Sequence, residues 1–180
     1  MEQQEYAQRG YLREDFRLFH LKGAMEEQLD WHYHTFHKLI FFLGGQSGYG
    51  VEGRSYPLEP GDVILVPQGC VHRPEAAPGA PYERVILYLS PDYLARTGTA
   101  DCPLDSCFAL ATARFRFVLR PQEGRQALRR TLFALESASA QPGFGQELLA
   151  KALLTQLLIL LHRAMDAQPQ AVESLASDEK

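Results

Sequence analysis

Short strand-like segments separated by glycine and proline turns fill the N-terminal half of this 180-residue chain. Segments 16–22, 31–45, 63–67 and 82–90 are rich in aromatic and β-branched residues, which favour strands. Segment 49–58 predicts a hairpin, because a glycine at its tip supplies the positive φ that a tight turn needs. Many short strands broken by such turns are typical of a β-sandwich or β-barrel.

The periodicity becomes helical after Pro121. Leucines at intervals of three to four residues predict an amphipathic helix over 122–138, and a proline–glycine pair then ends it. A second helix is predicted over 145–165, where strong helix formers occur without an interior glycine or proline.

The second predicted helix carries two leucine stripes instead of one. A single stripe is enough to dock a helix on its own domain, so two stripes indicate that something covers each side. A second copy of the chain is the economical partner, which predicts a homodimer. The alternative is that both stripes are buried within one chain. The predicted dimer residues are Leu149, Leu153, Leu154, Leu157, Leu158 and Leu161.

Charge and composition narrow the classes of partner. The formal net charge of −4 and the lack of a basic cluster predict no direct nucleic-acid contact by this segment. The apolar run 157–161 is too short to cross a bilayer, so no membrane partner is predicted. The polar N-terminus predicts no secretory signal, and three cysteines without a CxxC pair favour a reduced, cytoplasmic setting.

The segment from His32 to Lys38 concentrates polar side chains on a predicted strand. Because side chains alternate along a strand, one face is predicted to carry His32, His34, Phe36 and Lys38, while His37 points the other way. Two imidazoles on one strand face can reach the same metal ion or polar ligand.

A second segment runs from a glycine turn through a buried strand to another turn and a third histidine, His72. The second turn is predicted to return the chain so that His72 also faces the interior. Apolar walls around the polar groups would complete a small-molecule site. The predicted wall residues are Phe36, Ile40, Phe42, Ile64 and Tyr88.

These two segments resemble the paired motifs of the cupins. The first matches H-x-H and a later glycine as His32, His34, Lys38 and Gly45, with lysine where the family has an acidic residue. The second matches G-x5-P-x-G-x2-H as Gly61, Pro67, Gly69 and His72. Residues 32–94 together resemble the N-terminal cupin of AraC-type transcription regulators, and the leucine-rich stretch resembles their dimerisation helices.

The resemblance implies a mainly β fold: a cupin-type double-stranded β-helix, or jelly-roll barrel, followed by two C-terminal α-helices. The domains that follow from it are a flexible N-terminal arm (1–15), the cupin barrel (16–118), a helical dimerisation segment (119–166) and a linker (167–180). The linker is expected to lead towards a separate helix-turn-helix DNA-binding module; an unusually short natural chain is the alternative. The implied function is small-molecule sensing that controls that module.

Lys38 bears on the choice between a metal site and a ligand site. In metal-binding cupins the corresponding residue is a carboxylate, whereas an ammonium has no lone pair and repels a cation. No cofactor is therefore required, although His32, His34 and His72 retain the capacity to bind Zn, Ni, Mn or Fe. The predicted effector-binding residues are His32, His34, Phe36, Lys38, His72 and Tyr88.

Two other functions are compatible with the sequence. A stand-alone metal-dependent cupin enzyme, such as a dioxygenase or isomerase, is the alternative, although Ser47 and Cys70 lack activating neighbours and no catalytic residue is predicted. A purely structural dimerisation module with a filled barrel is the third hypothesis.

Overall fold

A computed structural model describes residues 6–25, 27–168 and 170–176. The N-terminal strands are β1 Ala7–Gln8, β2 Phe16–Leu21, β3 His32–Tyr33, β4 His37–Gly45, β5 Ser47–Val51, β6 Arg54–Pro57, β7 Val63–Val66, β8 His72–Ala76 and β9 Tyr82–Leu89. The remaining elements are α1 Pro91–Thr97, α2 Ser106–Arg114, β10 Val118–Leu119, α3 Arg125–Ala140, α4 Gln146–Ala167 and β11 Leu175–Ala176.

The strands form two mostly antiparallel sheets. The six-stranded sheet has the order β1-β3-β8-β5-β6-β11, and the five-stranded sheet has the order β10-β7-β4-β9-β2. Their inner faces meet where Lys38 of β4 contacts Tyr49 of β5. The sheets are not joined by hydrogen bonds into a closed barrel, but a two-sheet β core followed by helices is present as predicted.

The predicted strand 31–45 is wrong as a single element. It divides into β3 and β4, which belong to different sheets, so the chain crosses between the sheets at residues 34–36. The turn after β7 holds this crossing in place: the Gly69 amide donates to the His34 carbonyl at 2.8 Å, and the Gln68 amide donates to His37 Nδ1 at 3.0 Å. These bonds satisfy backbone groups that lose their strand partners at the crossing.

Two turns show why glycine occurs where the chain reverses. The predicted hairpin is confirmed as β5 and β6, and its tip residues Glu52 and Gly53 both have positive φ, as a type I′ turn requires. At Gly45, φ is +107° and an added Cβ would lie 2.0 Å from the Pro81 carbonyl oxygen. A side chain at Gly45 therefore has no space.

Helices cover the outer face of the five-stranded sheet. Leu128 and Leu132 of α3 line the same cleft as Phe41 and Val63 of the sheet. The two C-terminal helices are confirmed as α3 and α4, and the short helices α1 and α2 are additional to the prediction. Helix α1 begins with the Ser90 side chain accepting from the Tyr93 amide at 3.2 Å, which satisfies an otherwise free donor.

The leucine stripes of α4 have different environments. Four of the six predicted dimer residues are buried within the chain's own core, which corrects their assignment to a dimer surface: Leu154, Leu157, Leu158 and Leu161. Leu149 is 54% exposed and Leu153 is half-buried, so these two remain at the surface. By length and composition alone α4 is also long and apolar enough to cross a membrane, with 22 residues and a mean hydropathy of 1.5, a test that core helices pass as well.

A buried ion pair ties the β core to the C-terminal region. Asp62 is 1% exposed, and the Arg120 guanidinium donates to both of its carboxylate oxygens at 2.8 and 2.9 Å. Such two-pronged pairing compensates for the loss of water around a buried carboxylate.

His20 links the sheet to α3. Its imidazole lies between the carboxylates of Glu83 on β9 and Glu136 on α3. Partial burial lowers the pKa of His20, but the hydrogen bonds and charges of the two carboxylates outweigh it, and the net pKa is raised.

We expect His20→Gln to remove a pH-dependent part of the stability. The charged imidazole binds both carboxylates, so its contribution, about 1 kcal/mol, is complete below the unfolded-state pKa of about 6.5. It is lost as the pH rises through the higher folded-state pKa. Urea unfolding of both proteins between pH 5 and 9 measures this difference. A difference that does not change with pH would contradict this role of His20.

Candidate functional site

Three histidines from two strands and the crossing segment meet inside the β core. His32, His34 and His72 are 2%, 5% and 0% exposed, and their ring centroids lie 4.5–5.1 Å apart. One ring nitrogen from each lies within 4.8 Å of those of the other two. The predicted convergence of these histidines is therefore present in the structure.

Each of the three Nδ1 atoms faces a backbone carbonyl. His32 Nδ1 lies 2.7 Å from the Asp30 oxygen, His72 Nδ1 lies 2.9 Å from the Cys70 oxygen, and His34 Nδ1 bonds to the Arg9 oxygen. A carbonyl oxygen only accepts, so each Nδ1 carries the hydrogen and each Nε2 keeps a free lone pair.

Two of the three Nε2 atoms are buried without a partner. Nε2 of His34 and Nε2 of His72 are buried and make no hydrogen bond. Buried polar atoms are nearly always bonded, and leaving one unbonded costs about 1–3 kcal/mol. These nitrogens are therefore chemically able to accept a hydrogen bond or to bind a cation.

Burial keeps these imidazoles neutral. It lowers the pKa of His34 to about 4, with a smaller contribution from the positive charge of Lys38. The pKa values of His32 and His72 are lowered for the same first reason, burial, and Lys38 adds to both. Near pH 7 the three rings therefore offer lone pairs instead of positive charges.

Lys38 lies on the inner face of β4 and is 8% exposed. Its Nζ donates to Tyr49 Oη at 3.4 Å, and the Tyr49 ring is parallel to that of His72 at 6.1 Å. Burial lowers the pKa of Lys38 to about 8, and the charge of Arg84 adds to this effect. No described carboxylate pairs with this amine. Tyr49 was not among the predicted residues, although its alternation with Val51 on a hairpin strand is a signal for the inner face.

Aromatic rings line one side of the cluster. Phe36 stacks on His34 at 4.7 Å and contacts Tyr88 at 4.6 Å. Tyr88 pairs with Lys38 across β9 and β4, which places both on the same face of the sheet. The other predicted wall residues lie on the same face of the sheet as Lys38. Ile40 and Phe42 alternate with Lys38 along β4, and Ile64 of β7 is directly opposite Ile40. His37 points outwards, as predicted, and stacks on Phe108 of α2 at 4.2 Å.

The N-terminal arm closes the cluster. Strand β1 pairs in parallel with β3, and the Arg9 amide donates to the Tyr33 carbonyl at 2.9 Å. Gly10 follows with φ +65°, and a Cβ there would lie 3.7 Å from the Phe36 ring and 3.9 Å from His34 Nδ1. Of the predicted arm, residues 1–5 lie outside the described residues.

The described clefts lie elsewhere. Five clefts occur along α4, at the junction of α2 with α4, between α3 and the sheet, and beside residues 168–173, and none of the five is lined by the three histidines. Under the docked arm, Phe36, Tyr49 and Tyr88 occupy the space beside the cluster. A ligand of more than a few atoms therefore needs the arm or these rings to move.

The three histidines have the residue types and the convergence that a three-nitrogen metal site needs. A metal-binding histidine usually donates a hydrogen bond from its other ring nitrogen to a carbonyl, a carboxylate or a water. The three neutral imidazoles have this arrangement, because each Nδ1 donates to a backbone carbonyl. Lys38 supplies no fourth ligand and adds a positive charge, so any such site would keep open positions for non-protein ligands. The residues present thus fit a divalent metal as well as a hydrogen-bonding ligand.

Comparisons with known proteins agree with this architecture. Residues 18–158 match the family described as AraC-like ligand binding domain. The AraC-like transcriptional activator CuxR has a similar structure, with a TM-score of 0.53 and 14% identity over 77% of this chain and 45% of that protein. No curated protein sequence matches the chain.

Two cupins match over smaller parts of the chain. A cupin-like protein from Thermotoga maritima matches with a TM-score of 0.39 and 20% identity, over 44% of this chain and 60% of that one. A cupin 2 conserved barrel domain protein from Salinispora arenicola matches with a TM-score of 0.39 and 16% identity, over 47% and 71%. The chain thus spans less than two thirds of the Thermotoga protein and less than half of CuxR. The cupin-type fold predicted from the sequence is confirmed. The family match shows that the chain belongs to the family of AraC-like ligand-binding domains.

Proposed function

We propose that this domain is the effector-sensing and dimerisation part of a cytoplasmic AraC-type regulator. A small molecule binds at the histidine–lysine cluster and controls how an attached helix-turn-helix module is presented to DNA. The observation that carries the proposal is the set of buried, unbonded imidazole nitrogens beside Lys38, beneath an N-terminal arm held by few bonds.

The hydrogen-bonding groups of the cluster determine which groups the effector must carry. Free Nε2 lone pairs accept hydrogen bonds, so the effector has to supply donors such as hydroxyl groups. Lys38 donates and carries a positive charge, so the effector also has to supply a carboxylate or carbonyl oxygen. A small hydroxy acid or a related hydroxy-carbonyl compound offers both.

The arm provides a route from binding to response. His34 Nδ1 bonds to the Arg9 carbonyl, so the position of the arm and the orientation of a site imidazole depend on each other. An effector that needs the space under Gly10 binds one arm position better than the other. A differential affinity of about 1–3 kcal/mol is enough for ordinary coupling.

A divalent metal is a second candidate for the cluster, favoured by the three converging lone pairs. Zn, Ni, Mn or Fe would be held by His32, His34 and His72, and would polarise an oxygen ligand placed in an open position. A metal could itself be the signal, or could anchor an oxygen-bearing effector. The same centre is what a metal-dependent cupin enzyme would use, and that remains the alternative function.

Dimerisation is proposed through the exposed apolar surface at the start of α4. Leu148 is 75% exposed and Leu149 is 54% exposed, and Phe144 just before the helix is fully exposed. Leu153, one turn after Leu149, extends the same stripe. Contiguous apolar surface of this kind is typical of an interface, and a second copy of the chain is the economical partner.

Substitution of Lys38 tests the effector site. We expect a panel of sugars, sugar acids and hydroxy acids to contain compounds that raise the melting temperature of the wild type. Lys38→Met keeps the length of the side chain but removes the charged donor, so the Kd of such compounds, measured calorimetrically, rises at least about tenfold. Lys151→Met on α4 is the matched control and leaves the Kd unchanged. Equal affinities in all three proteins would refute the assignment of Lys38.

Cobalt(II) tests the metal hypothesis by its absorption spectrum. We expect one Co²⁺ per chain at pH 7, because the lowered histidine pKa values leave little proton competition. His34→Ala and His72→Ala remove ligands and abolish the metal-bound spectrum, whereas His162→Ala on α4 retains it. Retention of the spectrum in His34→Ala, or no binding by the wild type, would rule the metal hypothesis out.

Charged substitutions at the exposed leucines of α4 test the proposed dimer interface. We expect the wild type to sediment as a dimer and Leu149→Glu with Leu153→Glu to sediment as a folded monomer, because two buried carboxylates per subunit are costly to desolvate. Leu21→Glu, at a partly exposed leucine on β2, is the control and stays dimeric. Unchanged sedimentation of the double variant would place the interface elsewhere.

A further inference from the structure

After α4 the chain turns back along the β core. The Arg116 guanidinium donates to the carbonyls of Gln168 and Gln170 at 2.6 and 2.8 Å. The Gln168 side-chain oxygen accepts from the Arg120 amide at 3.0 Å. We call residue 168 together with residues 170–176 the C-terminal strap.

The end of the strap pairs with the six-stranded sheet. Strand β11 lies antiparallel to β6, with Leu175 opposite Ser55 and Ala176 opposite Arg54. Without the strap, β6 would be an exposed edge. Most of the strap's described residues are exposed, and only a few bonds hold it, which is typical of a segment that opens locally at small cost.

One cross-strand row connects the strap to the histidine cluster. Ala176 is opposite Arg54, Arg54 is opposite Val51, Val51 is opposite His72, and His72 is opposite His32. The same row continues to Ala7 of the N-terminal arm. Two site histidines thus lie in the middle of a row whose ends are the arm and the strap.

The hairpin of β5 and β6 is the shared element. The strap pairs with the free edge of this hairpin, and Arg54 of β6 lies over the Phe115 ring at 4.6 Å. On its inside the hairpin carries Tyr49, which is the hydrogen-bond partner of Lys38 and the parallel neighbour of the His72 ring. A shift of the hairpin therefore changes the surroundings of both site residues.

We propose that docking of the C-terminal strap on β6 is coupled to the state of the histidine cluster, so that binding at the cluster changes how firmly the strap is held. The functional use of this coupling rests on the proposed sensing role. Because coupling between two sites is reciprocal, releasing the strap must in turn alter the cluster, and this can be measured without any effector.

The test compares Arg116→Ala with Arg114→Ala in the full chain. Arg116 lies just after the end of α2 and bonds to the strap, whereas Arg114 is the last residue of α2 and pairs with Asp166 on α4. Hydrogen exchange followed by mass spectrometry reports on peptides covering 170–176, and imidazole NMR signals report on His32 and His72.

We expect Arg116→Ala to speed exchange in the strap at least about tenfold and to shift the His32 and His72 signals, with Arg114→Ala matching the wild type. Leu175→Pro, which interferes with strand pairing by removing an amide donor, gives the same two changes. Unprotected strap amides in the wild type, or a released strap with unshifted histidine signals, would overturn the proposal. This test uses no effector. Failure to find an effector would therefore count against the proposed sensing role and not against the coupling of the strap to the histidines.

Discussion

Three buried, neutral imidazoles are the constraint on which the site depends. Their Nδ1 hydrogens are bonded to carbonyls, and their Nε2 lone pairs are free. Unbonded buried nitrogens are costly, at about 1–3 kcal/mol each, so they persist only where the surrounding structure fixes them. The strands β3 and β8 and the turn after β7 supply that fixed frame. The cost is recovered when a donor or a cation enters, which makes binding favourable at this place.

The elements around the histidine cluster are held by different numbers of contacts. His32 and His72 are opposite each other on paired strands, and the five-stranded sheet behind Lys38 is covered by helices. The N-terminal arm and the C-terminal strap are held by a few bonds at the two ends of the six-stranded sheet. In the proposed sensing role, the small segments respond to binding while the histidines keep their geometry.

Much of this arrangement could be predicted from the sequence because it depends on side-chain alternation and turn chemistry. The spacing of Gly61, Pro67, Gly69 and His72 specified a strand, a turn and a return to the interior. Alternation placed Lys38 inside and His37 outside, as observed. The division of 31–45 was missed because no glycine or proline marks the crossing at residues 34–36, where the bonds come from a distant turn.

Other features depend on contacts that sequence patterns do not record. The Arg9 carbonyl that holds His34 is a backbone atom, and every residue has one. The two leucine stripes of α4 predicted two covered sides, but most of these leucines are buried in the chain's own core. The 3.6-residue period shows that these leucines share faces of α4, but it does not show that α3 and α2 of the same chain cover them.

The protonation of the site histidines is the measurement that tests the account most directly. Long-range ¹H–¹⁵N NMR spectra of the effector-free, metal-free protein at pH 7 distinguish protonated from free imidazole nitrogens. The account predicts that His32, His34 and His72 are all neutral, with the hydrogen on Nδ1 and a free lone pair on Nε2. Charged rings, or hydrogens on Nε2, would show that the interior offers no converging lone pairs and would contradict the proposed binding site.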